Sequence, residues 1–339
     1  MSGIKEETGL TTVQTALTRL RQMAAFQEVL QELQRGARVV SISGLVTGSS
    51  RALAVAALQQ ATGKLFAVVT QANRDLEVWE RDLRFWYCAL AGRTECDEQV
   101  LLLPASETDP YAGSSPHPET LETRALTLWR LARHSPSLVL LTARALARRT
   151  VRPEVIAQQG ALLRREQDEA PEELLERLIA SGYVRQDPVT AVGELSMRGG
   201  ILDVWSPGNP LPARIEFFGD TIDSIREFDP ETQLSTDQIK EIELAPMREL
   251  AVTSSDFLLW AEAARERWSD VRYSRSLRDR TAFADEGESF GGWEWLMPLV
   301  LNTNATVFDY LKDAVFLVDE PSSVESYLSD VYQSLDERF

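Results

Sequence analysis

The sequence predicts an α/β chain: a parallel sheet first, then an inserted, mostly antiparallel segment, then a smaller mixed region. Three observations carry this. Short apolar strands alternate with longer helical runs between residues 38 and 141. Near residue 160 the pattern becomes an alternation of apolar and polar residues, punctuated by glycine turns. After Pro246 strand and helix patterns mix. Strand–helix alternation is the signature of a parallel sheet covered on both faces, and a period of two with tight turns is that of hairpins.

Taken in order, residues 11–34 place Val13, Leu17, Leu20, Met23, Phe26, Leu30 and Leu33 at helical spacing, and Gly36 ends the run. Arg38 to Ser43 reads as a buried strand, Gly44 to Ser50 as a turn, and Arg51 to Ala61 as an alanine-rich helix. Leu65 to Val69, Val100 to Leu103 and Leu138 to Leu141 are further strands, with helices over Leu76 to Leu90 and Leu121 to Ala132. Pro171-Glu172-Glu173 opens a helix that stops at Gly182, with proline and acids where a helix start favours them. Leu195 to Arg198 is a strand interrupted at Gly199-Gly200, and Ile201 to Trp205 reads as its continuation past a bulge. Arg214 to Phe218, Gly219-Asp220 and Thr221 to Ile225 form a hairpin with a glycine-first turn. Phe257 to Trp268 is helical, residues 274–292 read as irregular, and Val315 to Val318 as a buried strand. Ser322 to Phe339 is a helix without a stop signal, as expected of a piece of a longer chain. The expected division is 1–159, 160–246 and 247–339.

Composition excludes several classes. The 339 residues are 44% apolar and 26% charged, as in ordinary globular proteins. With 52 acidic against 35 basic residues the net charge is -17, which repels a phosphate backbone at long range. Cys88 and Cys96 are too few for a disulfide framework, and His117 and His134 lie in no metal-site or triad pattern, so neither metal nor cofactor is expected. Met1 to Gly9 is polar and no run of about 18 apolar residues occurs, so a cytoplasmic location is expected.

A phosphate loop would sit between the first strand and helix. Set against V-T-G-S-G-K-T, Val46 to Ala52 has Ser50 for the second glycine, Arg51 for the lysine and Ala52 for the magnesium hydroxyl. One lost charge-assisted phosphate contact alone costs about 1.5–3 kcal/mol. The turn is therefore expected to bind nothing, and Asp319 and Glu320, acids after a strand, to be an idle remnant. Seven arginines between Arg124 and Arg152, with no acid among them, read as a solvated basic face. The loop from Ala105 to Pro118 is long, and His117, between two prolines in it, is not expected to be catalytic.

The hairpin strand is more informative. Side chains alternate between sheet faces, so Ile215 and Phe217 point one way and Arg214, Glu216 and Phe218 the other. Arg198, on the preceding strand, can join Arg214 and Phe218. Arginine with an aromatic is the usual anchor set of a protein interface. Alternation alone leaves open whether Phe218 is an exposed anchor or is covered by another segment; as outward anchors, Arg198 and Phe218 are expected to be replaceable by alanine with folding nearly unaffected.

These motifs resemble a known family. Leu103-Pro104-Ala105, Asp109-Pro110-Tyr111, Ser115-Pro116-His117 and Arg124 resemble a signature of bacterial transcription-repair coupling factors (Mfd), with Ser106 where the signature has tryptophan. Gly44 to Leu53 resembles their degenerate loop. Gly193-Glu194, Arg198 to Asp203, Arg214 to Asp220 and Phe228-Asp229-Pro230 resemble a signature shared with the excision-repair protein UvrB, and Phe308 to Leu311 a later block. The resemblance implies a degenerate RecA-like domain, an inserted UvrA-binding domain and a small third α+β region packed on the first. It implies an adaptor without catalysis that recruits UvrA through Arg198, Arg214 and Phe218, with RNA polymerase and DNA engaged only by domains absent here. UvrB has a further arginine where this chain has Ser196. The alternative is an ATP-driven motor like UvrB, against which Ser50, Arg51 and Ala52 count.

Overall fold

The computed structural model describes residues 15–338. The polar start of the chain and the part of the first helical run before residue 15 lie outside them. Residues 15–22 are helical, and α1 (Ala24–Arg35) follows after a break at Met23; Gly36, at φ 75°, caps it by its backbone N–H. Then come α2 (Gly48–Thr62), β1 (Phe66–Thr70), α3 (Asn73–Ala91), β2 (Val100–Leu103), α4 (Pro118–Arg133) and β3 (Leu138–Thr142). Short elements lead on: α5 (Ala143–Ala147), β4 (Arg149–Thr150) and α6 (Pro153–Ala157).

The first sheet also takes in β14 (Val315–Val318), giving the order β14-β1-β3-β2, all parallel. Its side chains divide by alternation. Phe66, Val68, Val100, Leu138 and Leu140 pack with α2 and α3, while Ala67, Val69, Leu101, Leu103, Val139 and Leu141 pack with α4 and the later helices. Both faces are thus covered.

Two expectations fail here. Residues 38–43 form no strand, and Val39 is 88% exposed. Both neighbours of β1 are supplied elsewhere, one by β3 and one by β14 from far downstream. β14 is the edge of the sheet rather than a buried strand, half-exposed along its length.

The middle region is built on a six-stranded mixed sheet of order β11-β10-β9-β8-β7-β6. β5 (Ala161–Arg164) leads into it and α7 (Pro171–Ala180) covers it, followed by β6 (Val184–Arg185), β7 (Glu194–Arg198), β8 (Ile201–Val204), β9 (Ala213–Phe218), β10 (Thr221–Phe228) and β11 (Ser235–Gln238). β12 (Glu241–Leu244) leaves it, pairing antiparallel with β5, so the chain enters and exits side by side. Gly199-Gly200 is not a bulge in one strand. β7 and β8 run antiparallel with Arg198 opposite Ile201, so the two glycines are the whole turn, and Gly199 takes φ 59°. The β9–β10 hairpin forms as expected, with Phe218 opposite Thr221 and Gly219 at φ 61°. Leu195, Leu202, Val204, Ile215, Ile222 and Ile225 share a core with α7.

The remainder is α8 (Ser254–Arg267), α9 (Ser274–Asp285), α10 (Trp293–Leu296), β13 (Ala305–Thr306), α11 (Val307–Tyr310), β14 and α12 (Pro321–Asp336). α9 corrects the irregular reading of residues 274–292. Its sequence is too polar to announce an apolar face, yet Thr281 and Ala284 are buried and Arg265 of α8 reaches Asp285 at 2.5 Å. The long loop from Ala105 is fastened by this region: Gly292 N–H donates to Ser115 Oγ at 3.2 Å, and a Cβ on Gly291 would lie 2.7 Å from the Gly113 carbonyl oxygen. Among the described residues no helix is long and apolar enough to cross a membrane.

The arginine run is not a solvated basic face. Arg124 is fully buried; its Nε donates to Glu249 and its Nη1 donates to the Pro104 carbonyl at 2.7 Å. Thr150 donates to the other Glu249 oxygen at 2.7 Å, Arg130 is buried, and Arg148 stacks over Trp295 at 4.7 Å. The counter-ion, Glu249, lies outside the arginine window, so the window looked unbalanced. Burial works to raise the Glu249 carboxyl, but the Arg124 and Arg148 charges hold it down at about 2. This pair joins the exit of the middle region to the first sheet's helices.

Candidate partner-binding face and a closed nucleotide corner

Pairing of β7, β8, β9 and β10 lays the outward side chains in rows. One row runs Ser196, Asp203, Arg214, Arg226; the next runs Arg198, Ile201, Glu216, Ser224; Phe218 lies beyond. The register brings Arg198, Arg214 and Phe218 onto one face, as alternation predicts. Phe218 is 85% exposed and Ile201 is also exposed. Phe217, the next residue in chain, packs instead against the core of the middle region. No segment of the described chain buries Phe218, which settles the alternation question in favour of exposure.

The two arginines differ. Arg198 is mostly exposed and reaches Asp187 at 3.2 Å and Asp203 at 3.3 Å. Arg214 is largely covered. Its Nε and Nη2 donate to the two oxygens of Asp203 at 2.7 and 2.8 Å, and its guanidinium lies 5.0 Å over the Phe228 ring. The Asp203 hydrogen bonds raise the Arg214 guanidinium above its ordinary value. Arg214 thus also serves the fold: its loss takes the two shortest bonds from a carboxylate that is 2% exposed. Asp203 was missed as a member of this face. The hairpin register was the signal for it, since Asp203 alternates outward with Ile201.

The second candidate is the corner between Thr47, which caps α2, and the end of β14. A depression of about 300 Å³ there is lined by Gly48, Arg51, Asp75, Trp79, Asp319 and Glu320, among others. Arg51 Nη1 lies 2.5 Å from Asp319 Oδ1, and Trp79 Nε1 donates to Asp319 Oδ2 at 2.8 Å. The residues do not fit a magnesium nucleotide. The charge that would meet phosphate is spent on the acid that would meet the metal, and Ala52, fully buried, offers no hydroxyl. Elsewhere His117 is exposed and meets Glu119 only at 3.9 Å, and Cys88 is half-buried and packs against the core between α2 and α3.

Residues 162–250 match the family model described as the UvrB interaction domain. The six-stranded sheet that carries this face thus falls within a UvrB interaction domain. Over 92% of its length the chain is 33% identical to the transcription-repair-coupling factor of Myxococcus xanthus, covering 26% of that protein. It is 29% identical over 88% of its length to that of Haemophilus influenzae and 27% over 71% to that of Escherichia coli K12, covering 25% and 21% of them. The chain belongs with the UvrB-like N-terminal module of bacterial transcription-repair-coupling factors, and spans about a quarter of the length of such relatives.

Proposed function

We propose that this chain is an adaptor: it recruits UvrA by presenting a UvrB-like face, and catalyses nothing itself. The observation that carries the reading is the row geometry around Phe218. An 85% exposed aromatic beside an exposed arginine, on a sheet whose opposite face is a full apolar core, is the composition of an interface centre. The UvrB interaction domain match over the same strands supports it.

In this reading residues 1–159 form a degenerate RecA-like domain, 160–246 the UvrA-binding insert and 247–339 a third segment packed on the first. The module acts in transcription-coupled repair in the cytoplasm, with RNA polymerase and DNA engaged by other parts of a longer protein. The motor reading is disfavoured by the Arg51–Asp319 pair, which joins the remnants of the two nucleotide motifs to each other. The test is a binding measurement between this chain and purified UvrA. Saturable binding that Phe218→Ala weakens is the expected result; absence of binding overturns the reading.

A further inference from the structure

We propose that Asp203 is a positioning residue of the partner-binding face, a buried carboxylate that holds Arg214 and Arg198 ready for the partner. The inference rests on the reading of this face as the UvrA site and deepens it.

The strand pattern makes Asp203 an exception. Along β8, Leu202 and Val204 turn into the core, and Ile201 and Asp203 turn outward. Ile201 is exposed as an outward residue should be, yet Asp203 is 2% exposed. A carboxylate buried on an outward face needs partners close enough to replace water. Arg214 replaces it with two parallel bonds, the fork geometry that fits a carboxylate and that lysine cannot copy. Arg198 adds a third contact at 3.3 Å to the oxygen that Arg214 Nη2 also uses.

Register supplies the second part of the argument. Arg214 lies directly opposite Arg226 on β10, and like charges directly opposite are destabilising. Asp203 on one side, and Glu216 at 3.9 Å from Arg226 on the other, divide that repulsion between two acids. Without Asp203, Arg214 loses both of its carboxylate hydrogen bonds and faces Arg226, so it would swing away from Phe228 and from its row.

The consequence is preorganisation. A long arginine held by fixed bonds has less rotamer freedom left to lose when a partner binds. The bonds to Asp203 use the Nε–H and one Nη2–H of Arg214, leaving three of its five N–H donors for other acceptors. Arg198, held between Asp187 and Asp203, keeps an exposed guanidinium above the carboxylate. The partner chemistry that fits is a hydrogen-bond acceptor, carboxylate or carbonyl, beside an apolar pocket for Phe218.

The test uses the full chain, with Asp203→Asn as the variant because it keeps shape and removes the charge. In the free protein, exchange of the Arg214 Nε–H is expected to be slow in wild type and fast in the variant. Equal exchange overturns the proposal. With UvrA, Arg198→Ala is expected to weaken binding by about 30-fold in wild type. In the Asp203→Asn background the same change is expected to cost less than about threefold, because an unpositioned arginine has less to contribute. Equal losses in both backgrounds, with thermal midpoints matched, overturn it too. If Asp203→Asn does not fold, D203L/R214M, which replaces the buried pair by apolar side chains, takes its place in the cycle. Failure of wild type to bind UvrA overturns the partner reading and with it the role of Asp203; wild-type binding left unchanged by Asp203→Asn overturns the role of Asp203 alone.

Discussion

The Arg51 guanidinium at the start of α2 is 2.5 Å from the Asp319 carboxylate at the end of β14, although 268 residues separate them. In a working phosphate loop the first position carries a lysine for phosphate and the second an acid for magnesium. Here the arginine and the acid satisfy each other, which ties the first helix of the sheet to its edge strand.

No strong nucleotide binding follows from that tie. Calorimetry of the chain with Mg-ATP is expected to show no heat of binding at micromolar concentrations and no hydrolysis. A micromolar dissociation constant, about -8 kcal/mol, would mean that the ion pair opens readily and that the inert reading is wrong. Arg51→Ala is expected to cost about 1–3 kcal/mol in stability, measured by urea unfolding, because Asp319 stays largely covered beside Trp79.

Phe218→Ala separates interface from core. At 85% exposure the ring contributes little to folding, so the stability is expected to stay within about 0.5 kcal/mol of wild type. UvrA affinity is expected to fall by about 2 kcal/mol or more. A variant that melts early yet binds normally would make Phe218 a structural residue.

Acid should loosen the joint between the middle region and the first. Against burial, which acts to raise it, the Glu249 carboxyl is held at about 2, below its ordinary 4.5, by Arg124 and Arg148. A folded value below the unfolded one contributes stability that is complete above about 4.5 and is lost as pH falls toward 2. The contribution at neutral pH is about 3 kcal/mol. Urea unfolding from pH 7 to pH 2 should show this loss in wild type, and a shallower one in Glu249→Gln. Parallel pH profiles would remove Glu249 from the account. Arg124→Ala, which leaves Glu249 buried without its main partner, is expected to cost about 3–5 kcal/mol at pH 7.

Duplex DNA is expected to bind weakly and only at low salt. Arg124 and Arg130 are buried, Arg144 is half-buried and Arg148 lies against Trp295, which leaves Arg133, Arg149 and Arg152 as the exposed members of the run, on a chain of net charge -17. Fluorescence anisotropy against salt concentration measures it. Tight binding at physiological salt would contradict the adaptor reading.

What the sequence by itself determined is local. The alanine-rich run of α2, the helical patterns of α3 and α4, the apolar runs of β1, β2 and β3, and the Gly219-Asp220 turn each depend on residues a few positions apart. The outward set Arg198, Arg214 and Phe218 was legible for the same reason, since alternation is a two-residue rule and the hairpin fixes its register. Pairings across long separations were decided only by the tertiary structure. Residues 38–43 have strand-like composition but form no strand, while the place beside β1 is taken by β14 from the far end of the chain. The arginine run looked unbalanced because Glu249 lies 125 residues beyond Arg124. Asp203 gave no sign of burial until two arginines from neighbouring strands closed over it. A strand or a buried charge is completed by whatever the fold brings within about 3 Å of it, and hydrogen-bond partners at that range are set by packing rather than by position in the chain.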